Sequence, residues 1–234
     1  MWKICETDGN DAIGKLEVLI RNHGVDLRTQ NKEKKDRWNA LHYAAHYGHL
    51  DIVRFLLDQD GALLDIADGP NRNGWTAYHI AAANGKMEIV RFLVEERQID
   101  VHRLTGQGWT ALHWAAGFGH TKIVEYLIHL GVDIDSNQNA GFTALHYAAV
   151  KGHPNTVAYL IEKGAKIPMV DSEHGNTALH WAAVKGHTGT VRVLLDNGAD
   201  PSIVNKFGKT AYALAVQENE AETVQHFRNR GIVA

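Results

Sequence analysis

The stretch "GWTALHWAAGFGH", residues 108–120, decides the fold because the chain repeats it. Close variants are "RWNALHYAAHYGH" (37–49), "GWTAYHIAAANGK" (74–86), "GFTALHYAAVKGH" (141–153) and "GNTALHWAAVKGH" (175–187). Counted from the Thr or Asn that opens each copy, and including a sixth copy in which Ala213 replaces the histidine, the intervals are 37, 34, 33, 34 and 33 residues. A fixed period near 33 residues predicts an array of stacked units rather than one closed globule.

Each repeat predicts two antiparallel helices. The first helix follows the opening residue, which is Asn39, Thr76, Thr110, Thr143, Thr177 or Thr210. The second carries apolar pairs at i, i+1, i+4 and i+5, as in "KIVEYLIHLGVD" (122–133), and this spacing places one apolar stripe on a helix. A glycine that ends the first helix divides the two, at Gly48, Gly85, Gly119, Gly152 and Gly186.

The repeat resembles the ankyrin repeats, whose unit runs roughly G-x-T-P-L-H-x-A-A-x-x-G-H followed by V-V-x-x-L-L-x-x-G-A-D. The resemblance covers essentially the whole chain and implies a single ankyrin-repeat domain over residues 1–234. It implies an all-α solenoid of stacked helix-turn-helix units, with first helices lining a concave face and β-hairpin fingers projecting from its edge. The implied repeats are a divergent 1–34, then 35–71, 72–105, 106–138, 139–172 and 173–205, and a capping unit 206–234.

The two ends of the chain differ from the inner repeats. Residues 206–234 are rich in charge where their neighbours are apolar, as the exposed end of an array requires, so we expect the array to end there. Residues 1–12 fit the repeat register poorly, and the sequence leaves open a cap or the edge of a larger chain.

Composition indicates which class of partner the protein binds and which cellular compartment it occupies. With 24 Lys and Arg against 27 Asp and Glu, the net charge of −3 gives no overall attraction to nucleic acid or to an anionic membrane. Cys5 is the single cysteine, which excludes a disulfide framework and favours a reducing compartment. No apolar run is long enough to span a membrane and no secretory signal opens the chain, so we expect a soluble protein of the cytoplasm, the nucleus or both.

The 15 histidines raise the question of metal binding or acid–base catalysis. Nine of them occupy repeat positions, and the resemblance implies that the first-helix set bonds to the opening Thr and to neighbouring turns: His42, His79, His113, His146 and His180, with His49, His120, His153 and His187 after the dividing glycine. The best metal pair is His42 and His46, four residues apart, but the spacing places no third ligand beside them. No nucleophile elbow, phosphate-binding loop or H-E-x-x-H motif occurs, and Cys5 has no His partner that the sequence can place. We therefore predict no enzyme, no metal and no cofactor.

An aromatic stripe runs across the predicted first helices. On a helical wheel Leu112, Ala115 and Ala116 form the buried side of the fourth repeat, whereas Trp114 and Phe118 lie opposite, one turn apart. The equivalent positions, and the position before the opening residue, give the predicted partner-binding residues: Trp38, Tyr43, Tyr47, Trp75, Trp109, Trp114, Phe118, Phe142, Tyr147 and Trp181.

Two interpretations of this stripe compete. An apolar residue before the N-cap and another at the fourth helical position form a hydrophobic staple, and four pairs fit it: Trp38 with Tyr43, Trp75 with Ile80, Trp109 with Trp114, and Phe142 with Tyr147. Tyr47 and Phe118 belong to no staple, and the aromatics give way to Asn176, Lys185 and Lys209 in the later repeats. These departures favour a recognition surface on repeats two to five, with stapling beside it.

The leading interpretation is a non-enzymatic, monomeric adaptor or scaffold that binds a partner protein or peptide through the concave aromatic face and the finger tips. The tips include an insertion at 58–75 and the basic segment 31–38. Two alternatives stay open: a regulatory or substrate-recruiting ankyrin domain of a larger enzyme, and a gankyrin-like proteasome assembly chaperone.

Overall fold

The structure, a computed structural model, describes residues 3–6, 10–31, 38–59, 74–137 and 140–233. Most of the insertion at 58–75 and of the basic segment 31–38 therefore lies outside the described residues. The chain divides into two compact units, residues 1–111 and residues 112–234.

Thirteen α-helices form in the described residues, and they follow the predicted order. Helix α1 spans Asn10–His23. The first helices of the repeats are Ala40–Tyr47 (α2), Ala77–Ala83 (α4), Ala111–Gly117 (α6), Ala144–Lys151 (α8), Ala178–Val184 (α10) and Ala211–Gln217 (α12). The second helices are Leu50–Asp58 (α3), Met87–Arg91 (α5), Thr121–His129 (α7), Pro154–Glu162 (α9), Thr188–Asp196 (α11) and Ala221–Asn229 (α13).

The repeats stack as two layers of helices within residues 112–234. The first helices α8, α10 and α12 pack side by side, and the second helices α7, α9, α11 and α13 form the adjoining row. Alanines make the first layer tight, since Ala148 and Ala149 are fully buried and leave room for the neighbouring backbone. Val157 and Leu160 of α9 fill the space between the layers, and each such side chain contributes about 2 kcal/mol.

A few backbone hydrogen bonds close the loops between repeats. The amide of Asn205 donates to the carbonyl of Lys209 at 2.9 Å, and Thr105 donates to Trp109 at 2.9 Å in the same way. One such bond closes a turn, whereas a β-hairpin needs a ladder of paired residues. The described residues contain no strand, so the β-hairpin fingers that the resemblance implied are not confirmed.

The first repeat has a 3₁₀ turn in place of a first helix. A 3₁₀ turn, Ile4–Glu6, contacts α2 at the place where a first helix would lie, and α1 contacts the second helix α3. Helix α1 therefore takes the second-helix position of this repeat. Its side chains Ala12 and Leu16 are buried together with Cys5, whose thiol is enclosed by the protein.

A π-helical turn absorbs one extra residue in the third repeat. Helix α5 continues as a π-helix over Phe92–Glu96, and the Arg97 amide donates to the Phe92 carbonyl at 3.2 Å. Gln98 follows with φ of +54°, at the place where the other second helices are followed by a glycine such as Gly131. A side chain in this left-handed conformation is strained.

Replacing this residue, Gln98→Gly, is expected to raise the free energy of unfolding by about 1 kcal/mol, because glycine adopts positive φ without the Cβ clash. Urea unfolding followed by circular dichroism measures the change. The matched control is Asn219→Gly, also at positive φ, where asparagine already tolerates the conformation and the gain is expected to be smaller. An equal or larger gain in the control would contradict this account.

Candidate partner-binding surface

The histidines of the first helices bond to the loop that leads to the next first helix. In the fifth repeat the Nδ1 of His146 accepts a hydrogen bond from the Thr143 amide at 3.2 Å. Its Nε2 lies 3.0 Å from the carbonyl oxygen of Met169, which can only accept, so Nε2 carries the proton. The same Nε2-to-carbonyl bond occurs in the other four, from His42 to Trp75, His79 to Arg103, His113 to Phe142 and His180 to Lys209. The expected bonds to neighbouring turns are confirmed.

The histidines after the dividing glycine bond in the opposite direction. The Nε2 of His153 lies 3.0 Å from the carbonyl oxygen of Gly117 in the preceding repeat, and that of His187 lies 3.0 Å from the carbonyl oxygen of Val150. The fourth and fifth repeats are thus held by two histidines, His113 and His153, which bond in opposite directions. These imidazoles are structural groups.

The hydrogen bonds of His42 argue against a metal site at the candidate pair His42 and His46. His42 accepts from the Asn39 amide through Nδ1 at 3.2 Å and bonds to the Trp75 carbonyl through Nε2 at 3.2 Å, so neither nitrogen is free to pair with His46 on a metal. Across the described residues no group of three or more His, Cys, Asp or Glu side chains is placed to hold an ion.

Burial keeps the connecting histidines neutral. Desolvation lowers the pKa of His79 and of His113 to about 4, against smaller opposing effects of their backbone hydrogen bonds. The pKa of His146 and His180 is lowered by the same cause. A second proton would have to sit on Nδ1, where His146 faces the N–H of Thr143.

The predicted partner-binding residues fall into three groups. Tyr47 and Phe118 are exposed, at 41% and 46% of their full surface. Seven are half-buried: Trp38, Trp75, Trp109, Trp114, Phe142, Tyr147 and Trp181. Tyr43 is only 3% exposed, and its hydroxyl accepts from the Asn31 amide group at 3.3 Å. The prediction that Tyr43 presents its ring to a partner is therefore wrong, because the first repeat covers it.

One predicted staple is confirmed, and other aromatics contact the next repeat. Trp38 packs edge-on against Tyr43 with ring centroids 5.4 Å apart. Trp114, by contrast, packs against Tyr147 at 5.6 Å, and Phe142 against Trp181 at 5.3 Å. A helical wheel describes one helix at a time, so it could not show these contacts between repeats.

We call Trp114, Phe118 and Tyr147 the first-helix aromatic cluster. The rings of Trp114 and Phe118 stack at 6.3 Å with an angle of 21°. Gly117 makes room for the third ring, since a Cβ at this position would lie 2.2 Å from the ring of Tyr147. The glycine of "WAAGFGH" thus lets Tyr147 lie directly on the backbone of α6.

We call Asp171, His174, Trp181 and Phe207 the finger cluster. Of these four residues, the sequence predicted only Trp181. Asp171 is fully buried, and its carboxylate accepts from the Trp181 indole at 3.0 Å and from the His174 amide at 2.6 Å. Burial alone would raise its pKa, but hydrogen bonds from His174, Trp181 and Asn176 hold the pKa below its ordinary value. His174 packs between Trp181 at 5.4 Å and the exposed Phe207 at 6.1 Å. Asp171, His174 and Phe207 lie outside the recurring string, and only a comparison of the loops could have found them.

The substitutions Tyr43→Ala and Tyr47→Ala separate core from surface. We expect Tyr43→Ala to lower the free energy of unfolding by about 3 kcal/mol, because it empties a buried ring site beside Trp38. Tyr47→Ala should cost less than about 1 kcal/mol, since its ring is largely in water. Urea unfolding measures both, and similar losses would refute the assignment.

Acid should weaken the folded state between pH 6.5 and pH 4, through His79 and His113 in particular. The unfolded chain takes up protons at an ordinary histidine pKa of about 6.5, whereas these side chains resist protonation down to about pH 4 in the folded state. Their stabilisation is fully present above pH 6.5 and is lost as the pH falls to 4. Between pH 7.5 and pH 5 the loss is about 2 kcal/mol for each histidine.

The variant His79→Leu should lose about 2 kcal/mol of this pH dependence in urea unfolding at the two pH values. The exposed His102→Gln is the matched control and should keep the dependence of the parent protein. An unchanged slope in His79→Leu would show that this imidazole is not the group concerned.

Comparisons with known proteins agree with a chain built from repeated pairs of helices. The sequence profile described as "Ankyrin repeats (3 copies)" matches residues 4–105 and 97–171, and the profile of a single ankyrin repeat matches residues 174–206. The Notch-regulated ankyrin repeat-containing proteins of Xenopus tropicalis and Homo sapiens are each 46% identical to this chain over 50 residues. That segment is 21% of this chain and 39% of each relative, so the chain spans well under half of the relatives' length.

Within the described part of the chain, every helix is too short or too polar to span a bilayer. The family matches extend from residue 4 to residue 206 with a gap of two residues. These family matches, together with the paired helices and the connecting histidines, show that the chain belongs to the ankyrin-repeat family.

Proposed function

We propose that this chain is a non-enzymatic adaptor that binds a partner protein or peptide through the first-helix aromatic cluster and the finger cluster. Ankyrin repeats generally mediate protein–protein interactions and are typically non-catalytic. The observation that carries the proposal is the exposed ring of Phe118 stacked on Trp114, which itself packs against Tyr147. Aromatic side chains in such positions supply much of the binding energy of protein interfaces.

The surface is held in place before any partner arrives. Tyr147 lies on the backbone at Gly117, and the indole of Trp181 is fixed by its hydrogen bond to Asp171. Fixed side chains lose little rotamer freedom on binding, so more of the contact energy appears as affinity. This rigidity supports a binding surface and does not require a chemical reaction.

The remaining features of the proposed function follow from the chain as a whole. The net charge of −3 supports a protein partner rather than nucleic acid, and the single cysteine supports the cytoplasm or the nucleus. We propose that the chain acts as a monomer. The Notch context in the relatives' name stays with those proteins, because the 50 shared residues cover fewer than two repeats.

The substitution Phe118→Ala tests the surface. We expect at least a tenfold loss in the amount of partner captured from cell lysate, because an exposed aromatic contact is removed, with the fold retained. Quantitative mass spectrometry measures capture. Unfolding should change by less than about 1 kcal/mol, since Phe118 is nearly half in water.

The matched control is Tyr159→Ala, which removes a half-buried aromatic ring from the second-helix row and should leave capture unchanged. Unchanged capture by Phe118→Ala, or a large fall in its stability, would favour a structural role for the cluster. If both variants lose the same amount of captured partner, the partner does not bind specifically at Phe118.

A further inference from the structure

The surface of residues 112–234 changes from aromatic to basic along the chain. The eighth residue after the opening threonine is Phe118 in the fourth repeat, Lys151 in the fifth and Lys185 in the sixth. All three side chains are exposed at or beside the C-terminal ends of α6, α8 and α10. The first-helix surface therefore presents an apolar site followed by two ammonium groups.

These two ammonium groups are not neutralised by the described residues. Lys151 lies over the ring of Tyr147 at 5.6 Å, and neither it nor Lys185 has a described carboxylate within 4.0 Å. Basic side chains elsewhere in this unit do form ion pairs, such as Arg230 with Asp196 at 2.5 Å. Both lysines can therefore meet carboxylates of another molecule at little cost of competing interactions.

The aromatic residues lie one helical turn from the lysines. Trp114, Tyr147 and Trp181 are the fourth residues after the opening threonines, so each precedes Phe118, Lys151 or Lys185 by four positions on the same face. All three rings are half-buried. A partner backbone lying across them would bring its side chains to the exposed row.

The spacing of the helices selects the conformation of such a partner. Packed helices lie about 8–10 Å apart, and α8 contacts α10 directly while Tyr147 of α8 lies on α6. A polyproline II chain rises about 3.1 Å per residue with three residues per turn, so residues i, i+3 and i+6 share one side at intervals of about 9 Å. This interval falls within the usual distance between packed helices.

We propose that Phe118, Lys151 and Lys185 bind an acidic peptide segment in the polyproline II conformation, with one apolar side chain and two carboxylates at intervals of three residues. The apolar side chain contacts Phe118, and the carboxylates contact Lys151 and Lys185. Glu218 holds the next equivalent position, so a third carboxylate there is repelled and the motif ends. This inference rests on the proposed partner-binding function and specifies the chemistry of the partner.

Single-stranded nucleic acid also combines negative charge with stacking groups, but the rings disfavour it. Trp114 is already stacked on Phe118 and meets the edge of Tyr147 at an angle of 79°, so two of its neighbours are protein rings. Base stacking needs open ring faces. A peptide with spaced carboxylates fits the two separated ammonium groups better.

The test is selection of a phage-displayed random dodecapeptide library on the whole chain and on the double variant Lys151→Glu, Lys185→Glu. The parent protein is expected to enrich peptides with an apolar residue followed or preceded by Asp or Glu at three-residue intervals. The double variant should lose that motif and enrich Lys or Arg at those places. For a selected acidic peptide, fluorescence anisotropy should show that the variant binds with a dissociation constant about tenfold larger than that of the parent protein.

The matched control is Lys122→Glu with Arg192→Glu, which makes the same change in charge on the second helices α7 and α11 and should keep the acidic motif. Peptides that bind without acidic enrichment, or whose charge does not follow the double variant, would overturn this inference and leave the adaptor function standing. If no peptide is enriched on a folded parent protein, this inference fails, and the adaptor function is decided separately by the capture experiment with Phe118→Ala. Lysine-dependent binding of a twelve-nucleotide oligothymidine that is tighter than that of the selected peptides would also overturn it.

Discussion

Five of the repeats, the second to the sixth, each depend on a neutral imidazole that bonds in two directions. One nitrogen accepts from the residue that opens the helix, and the other donates to a carbonyl of the loop that leads to the next first helix, as in His146 with Thr143 and Met169. Desolvation makes the charged form unfavourable, so the same burial that shields the hydrogen bonds also keeps the imidazole in the state that forms them. The helix start and the spacing between repeats are thus set by one side chain.

This arrangement separates the residues that build the protein from those of the proposed binding surface. Histidines, threonines and alanines occupy the inner positions of each repeat, and the fourth and eighth positions are left to vary. In residues 112–234 those positions hold Trp114, Tyr147 and Trp181 beside Phe118, Lys151 and Lys185. The surface can therefore change chemically from repeat to repeat while the scaffold stays the same.

The sequence predicted the scaffold well because its period is explicit. Helix order, the connecting histidines and the exposure of Phe118 all follow from the repeat and a helical wheel. Contacts between repeats did not follow, since periodicity states which residues are equivalent but not which of them touch. The burial of Tyr43 and the packing of Phe142 on Trp181 are of this kind.

The loops and the first repeat depart from the recurring string, so the sequence did not predict their contacts. The carboxylate of Asp171, with His174 and Phe207, lies in loops outside the recurring string, so no template drew attention to it. Helix α1 has the length of an ordinary helix but occupies a second-helix place, which only its contact with α3 reveals.

Gly117 shows how such a surface can be adjusted from beneath. The ring of Tyr147 occupies the volume where a Cβ at this position would be, 2.2 Å away. The position of this ring on the surface is therefore controlled by an atom that is missing from the helix rather than by any group on the outside. One added methyl group could reshape the proposed binding surface and leave every solvent-exposed side chain unchanged in identity.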